Sequence, residues 1–318
     1  SCIKHVVLDP ARLSIDPRRR IVDEHWVEPL PPDARRWEAC ADSLLAQMTP
    51  DERLGCLAGH WRPHDRGTHD LLAGGVKRLG IPDFRMEFAL EGVHTNGKST
   101  LYPSPLALAA TFDSTLVAAV GRSIAADCRA RAVEAALAPE LTLFDGGDAS
   151  LRATTFGDNP LHASRCAVAF AEGLTAGGIM PVGRSCAPSS ARDDAAEEAR
   201  REMLRRTLSS ELFGGVLLRG GTQECRAVED SLFNEGFLRG ECRFDGLLLG
   251  DLWQTRSTRG ALRGGVDIDL PRGEWLNAER LRPLLDSGAV SQSEIDRRVR
   301  RMLVVRQRFG LMHPAQAD

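Results

Sequence analysis

Residues 244–271 read FDGLLLGDLWQTRSTRGALRGGVDIDLP, and this stretch decides the fold. The turn pair Asp245-Gly246 opens it, and the run Leu247-Leu248-Leu249-Gly250 follows, apolar throughout and ending on Asp251. A short apolar run bounded by turn signals fits a strand buried on both faces. A short helix comes next, and GGVDIDLP at 264–271 makes a second strand. Two buried strands joined by a helix form a parallel unit with the helix outside the sheet.

The same alternation extends outward. Strands are predicted at GIMPV (178–182) and GGVLLRG (214–220), and helices over 161–176 and 190–212, the second rich in Ala, Glu and Arg. Asp113 precedes a predicted helix carrying LVAAVGRSIAADCRARAVEAAL, residues 116–137. A helix from about Arg35 to Met48 has apolar spacing at Trp37, Leu44 and Leu45. Thr49, Pro50 and Glu52 then read as a capping box with proline in the first turn, and Ser291 with Glu294 as a second box on a helix stopped by Gly310. Residues 60–70, HWRPHDRGTHD, read as a polar loop. A barrel and an open doubly wound sheet both fit this pattern. The absence of a G-x-G-x-x-G or Walker motif after a strand speaks against nucleotide binding.

The chain has 318 residues, 42% of them hydrophobic, enough for one large core. A formal net charge of −3 argues against general nucleic-acid binding. No apolar run reaches the roughly 20 residues of a membrane span, and the first residues lack a leader's apolar stretch. Lys4, Lys77 and Lys98 are the only lysines, so the basic residues are nearly all arginine, a mark of GC-rich coding. The eight cysteines are scattered without a C-x-x-C pair and read as free, mostly buried thiols in a reducing cytoplasm. The proline-rich residues 1–34 form a lead-in arm, and 35–318 one barrel domain.

Several segments together resemble glycoside hydrolase family 3. They are LLAQMTPDERLGCLAG (44–59), LGIPDFRMEFALEGVHT (79–95), TLYPSPLALAATFDSTLVAAVGRSIAADCRARAV (100–133), TFGDNP (155–160), the opening stretch 244–271, and IDRRVRRMLVVRQRFGL (295–311). The resemblance covers roughly residues 38–312 and implies an α/β fold, a TIM-type (β/α)8-like barrel in a single domain. It also implies that Asp251, closing its strand, stands where the family carries its nucleophile. In that role a carboxylate attacks an anomeric carbon while a second carboxyl about 5 Å away acts as acid and then base. Barrel chemistry sits at the C-terminal ends of the strands, where Asp251 falls.

The family's sugar-holding positions are differently filled. Its first-strand aspartate falls at Phe88, and the glycine, proline and arginine that follow it at Ala89, Leu90 and Glu91. Three arginines fall at Asp145, Asp148 and Leu151, and a glutamate at Thr154. The K-H-F-A motif corresponds to Arg184, Ser185, Cys186 and Ala187, a tyrosine to Arg219, and the tryptophan after the nucleophile to Leu252, with Trp253 one step on. The loop RSCAPSSARDD (184–194) has no histidine to serve as acid/base, and a second domain that supplies one in other members is not expected within these residues. Each hydroxyl partner lost costs roughly 1–3 kcal/mol, so ordinary glycoside binding is not expected.

Other groups remain in view. Glu87 and Glu91 flank the replaced aspartate, and either one, if it points inward, could pair with Asp251 as acid/base. Arg184 and Arg219 suit a carboxylate, phosphate or enolate oxygen, or else ion pairs with Asp145, Asp148 and Asp251. His94 faces either the pocket or the surface. His60, His64 and His69 lie with Asp65 and Asp70 in one stretch that either binds a metal or is a solvated loop, and no metal or cofactor is expected. The expected ligand is a small molecule, with no nucleic acid or membrane, and a homodimer is the one assembly considered. The leading expectation is a repurposed, non-hydrolytic enzyme of bacterial specialised metabolism, using Asp251, Glu91 and Glu87 for isomerisation, dehydration or cyclisation. Phe88, His94, Arg184, Arg219, Asp145, Asp148 and Trp253 would hold its substrate. A retaining β-glycosidase with Asp251 as nucleophile and a non-catalytic binding or scaffold protein are the alternatives.

Overall fold

The computed structural model of the protein describes residues 34–63, 69–94, 99–144, 151–186, 194–219, 227–251 and 254–312. Residues 1–33 of the arm expected over 1–34 lie outside them, and Ala34 opens the first helix. Eight strands follow one another around a ring: β1 (Gly59–Pro63), β2 (His69–Ala73), β3 (Phe84–Phe88), β4 (Ala135–Leu137), β5 (Met180–Cys186), β6 (Gly215–Arg219), β7 (Leu247–Gly250) and β8 (Ile268–Asp269). From β3 to β8 every neighbouring pair is parallel. β2 runs antiparallel to both β1 and β3, so this strand departs from an all-parallel barrel. A parallel bridge between Ala58 and Asp269 closes the ring, and the Asp269 amide donates to the Leu57 carbonyl at 2.9 Å.

The helices are α1 (Ala34–Gln47), α2 (Pro50–Gly55), α3 (Pro105–Ala109), α4 (Ser114–Arg129), α5 (Leu151–Thr154), α6 (Pro160–Ala176), α7 (Asp194–Leu208), α8 (Thr258–Arg263), α9 (Ala278–Asp286) and α10 (Gln292–Arg308), with a wider helix over Leu232–Glu241. Their starts follow from the sequence. Thr49 and Glu52 form the expected capping box, as do Ser291 and Glu294, and the Asp113 side chain accepts from the amides of Thr115 and Leu116. Such caps satisfy amides that the first turn leaves without partners, at about 1 kcal/mol each. No helix among the described residues is long and apolar enough to cross a membrane.

Two expectations are corrected. The helix begun at Asp113 ends at Arg129, and the tail of the predicted helical run, Ala135–Leu137, is β4. Ala132, at φ 53°, turns the chain. Alanine favours helix, but β4 pairs with β3 on one side and β5 on the other and is wholly buried, so tertiary pairing overrides propensity. Of the predicted polar loop 60–70, residues 60–63 and 69–70 belong instead to the paired strands β1 and β2, with 64–68 outside the described residues. Its polarity is used internally. Asp70, fully buried, accepts from Arg62 Nη2 at 2.7 Å and pairs with Arg85 Nη2 at 2.6 Å.

The strands hold the ring because both their faces are apolar. All four residues of β7 are buried, as are Gly215–Leu218 of β6. Each such leucine contributes about 2 kcal/mol by leaving water. Outside, α4 and α6 press together at Gly121 and Gly173, where a Cβ on either would strike the other helix's backbone. Arg306 of α10 is fully buried beneath the barrel wall. It donates to the carbonyls of Gly74, Pro82 and Leu311 and lies over the Phe84 ring.

Candidate functional site

β7 is an unbroken buried run, so the chain cannot turn until its end, and there it delivers Asp251. The Asp251 amide donates to the Leu218 carbonyl of β6 at 3.2 Å, which fixes the residue beside Arg219. Arg219 Nε stands 3.7 Å from Asp251 Oδ2, and its Nη1 donates to Glu140 Oε2 at 2.6 Å. Glu140 is fully buried just beyond β4. Its backbone bridges Arg184 on β5: the Leu141 amide donates to the Arg184 carbonyl at 2.7 Å, and the Arg184 amide to that of Pro139 at 2.8 Å. Arg184 Nε is 3.9 Å from Glu140 Oε2, and its guanidinium lies 5.2 Å from the centre of the Phe88 ring. Four strand ends thus converge on two carboxylates and two guanidiniums. Burial pushes the Glu140 carboxyl above its usual range, against the pull of Arg219 and Arg184.

A cavity of about 360 Å³ opens beside this set, lined by Phe88, Leu90, His94 and Arg184. Among the described residues its wall is mostly apolar, with one cation and one imidazole. The sequence-predicted residues Asp251, Arg184, Arg219, Phe88 and His94 are therefore drawn to one region. Asp145, Asp148 and Trp253 lie outside the described residues, as do His64 and Asp65. Glu91 is half-buried, and its carbonyl accepts from the Tyr102 amide at 2.7 Å. Glu87 has other company. Burial pushes its carboxyl up to about 8, with Arg85 opposing and Asp70 adding to the rise. Phe88, the next residue along β3, lines the cavity, so strand alternation turns Glu87 to the other face.

His60 pairs with Asp83 at 3.2 Å and Asp70 with arginines, so these members of the histidine-aspartate stretch serve as ion pairs. Among the described residues no group of three or more His, Cys, Asp or Glu is placed to hold a metal. Cys56, Cys128 and Cys166 are buried free thiols. The residue that sequence reading passed over is Glu140. Its signal was present: AALAPELTLF carries one charge inside an otherwise apolar run.

Residues 74–211 match the Glycosyl hydrolase family 3 N terminal domain. The chain is 24% identical over 279 residues to "Probable beta-glucosidase J" of Aspergillus fumigatus, covering 82% of this chain and 31% of that protein. It is 23% identical over 305 residues to "Beta-glucosidase" of Rhizobium radiobacter, covering 86% and 35%. The chain thus spans about a third of the length of these curated relatives. Among solved structures it superposes on DesR, a β-glucosidase from Streptomyces venezuelae in complex with D-glucose, with a TM-score of 0.77 at 23% identity, covering 87% of this chain and 39% of that one. β-D-glucoside glucohydrolase from Trichoderma reesei gives 0.75 at 18%, covering 92% and 43%.

Proposed function

With a family 3 N-terminal barrel as its frame, we propose that this chain carries out non-hydrolytic acid/base chemistry on a small molecule, with Asp251 as the working carboxylate. The reaction class is isomerisation, dehydration or cyclisation, in bacterial specialised metabolism. The observation that carries this reading is the cavity wall. Among the described lining residues, Phe88 and Leu90 offer a sugar no hydroxyl partners, while Arg184 over the Phe88 ring offers a flat, charged surface. A site built for hydroxyls holds them with convergent polar groups, and an apolar wall selects a less polar ligand. In this reading the Asp251 carboxylate, paired with Arg219 before the transfer, takes a proton from one position of the substrate, becomes the neutral acid, and returns that proton to another position or to a departing hydroxyl, which regenerates the carboxylate.

A second reading, a retaining β-glycosidase, is supported by the position of Asp251 at the end of β7 and by the names of the relatives. There Asp251 would form a covalent glycosyl intermediate. An activated 2-deoxy-2-fluoro glycoside separates the two. The proposal expects no adduct on Asp251 by peptide mass mapping, and an adduct there overturns it in favour of hydrolysis. The proposal also expects Asp251→Asn to abolish product formation in the producing cell. If product persists unchanged, both enzyme readings fail and a non-catalytic role gains.

A further inference from the structure

The barrel places a second carboxylate, Glu140, behind the guanidinium that faces Asp251. We propose that Glu140 is a positioning residue: it anchors Arg219 so that the Nε edge of the guanidinium stays turned to Asp251. The inference rests on Asp251 being the working group of the site, as proposed above.

The geometry is specific. Arg219 leaves the end of β6 with its side chain 22% exposed, so it lies partly open at the mouth. A guanidinium has a rigid fork of donors and can hold two carboxylates at once only in a fixed orientation. Here one arm, Nη1, is tied at 2.6 Å to Glu140, and the Nε edge is left 3.7 Å from Asp251. The tie point itself does not move. Glu140 is fully buried, and its backbone is stitched to β5 on both sides by the Leu141 and Arg184 amides. The groups facing Glu140 are Arg219 of β6, Arg184 of β5 and Thr142 of its own segment, each favouring the charged form, while burial disfavours it. A buried carboxylate carries a desolvation cost that only its partners offset. A glutamate at this place therefore calls for a use, and Arg219 is the group it controls. Its role is to act through Arg219 on Asp251 without touching a ligand.

Reach and charge can be separated by two conservative substitutions. Glu140→Gln keeps the length and an oxygen acceptor for Arg219 but removes the charge. Glu140→Asp keeps the charge but shortens the reach and draws Arg219 away from Asp251. The readout is the titration midpoint of Asp251, followed by carboxyl carbon NMR or by the pH profile of its esterification with a diazo reagent, in protein shown folded by circular dichroism. Positioning predicts that Glu140→Asp raises the midpoint by roughly one pH unit, a tenfold change in the protonation equilibrium, while Glu140→Gln moves it by less than about a third of that. Arg219→Lys approaches the same contact from the exposed side. It should raise the midpoint as well, because an ammonium cannot span both carboxylates. The proposal is overturned if Glu140→Asp leaves Asp251 unmoved, if Glu140→Gln moves it as far as Glu140→Asp, or if Arg219→Lys has no effect. None of these outcomes depends on whether Asp251 performs chemistry. A fluoro-glycoside adduct would overturn the proposed reaction and leave the positioning result standing.

Discussion

Glu140 and Arg219 stand 79 positions apart in the chain and 2.6 Å apart in the barrel, joined by Nη1 and Oε2 at the ends of β4 and β6. Arg219→Met removes the cation from this pair and leaves a wholly buried carboxylate without it. Breaking a buried pair on one side costs roughly 3–5 kcal/mol, and protonation of Glu140 limits the loss. The Met variant should therefore be destabilised by about 3 kcal/mol at pH 8 and by less at pH 5, measured by urea unfolding. Equal losses at the two pH values would mean that Glu140 does not take up the proton.

Two other buried carboxyls set a pH dependence. Burial pushes Glu87 up to about 8 and Glu134 up to about 7, with Arg85 opposing at Glu87 and the Arg85 amide opposing at Glu134. Both folded values exceed the ordinary 4.5, so the folded state binds more protons than the unfolded chain between those limits. Stability is fully present below about pH 4.5 and is lost as pH rises through 7 and 8. Urea midpoints taken from pH 5 to pH 9 should fall, and Glu87→Gln should flatten the fall.

Arg306 holds three backbone carbonyls, those of Gly74, Pro82 and Leu311, from three separate turns of the chain. Lysine presents a compact ammonium in place of a fork and cannot reach all three. Arg306→Lys should lower stability by about 2 kcal/mol or more, since hydrogen bonds to charged groups are worth about 1.5–3 each. Thermal unfolding of the variant against the parent provides the check, and an unchanged midpoint would count against a role for the fork.

Gly121 and Gly173 let α4 and α6 approach backbone to backbone. Adding one methyl group at either site forces the helices apart. Gly173→Ala should cost about 1–3 kcal/mol despite alanine's better helix propensity. Gly236→Ala, where a Cβ meets nothing, serves as the control and should not destabilise.

The parts of the fold that were legible in sequence rest on local chemistry. Thr49 with Glu52, Ser291 with Glu294, and Asp113 announce their helices because a cap depends only on residues three positions apart. Asp251 was legible because β7 is apolar to its last residue. β4 was hidden, since Ala135–Leu137 becomes a strand only through β3 and β5, both distant in the chain. The β1–β2 hairpin was hidden because Asp70 looks like a surface residue until Arg62 and Arg85 close on it. Glu140 was missed for the same reason: its partners, Arg184 and Arg219, come from other strands.

The reversal of β2 has a consequence for how the site can change. In an all-parallel barrel each strand ends in its own connection at the catalytic mouth. Here β1 and β2 share one, because β2 descends from that mouth toward Gly74. The rim thus carries one connection fewer, and Phe88 at the end of β3 stands beside the start of β2. Substitutions along β2 can therefore alter the Phe88 side of the rim while the Glu140–Arg219–Asp251 side, built on β4, β6 and β7, is left untouched.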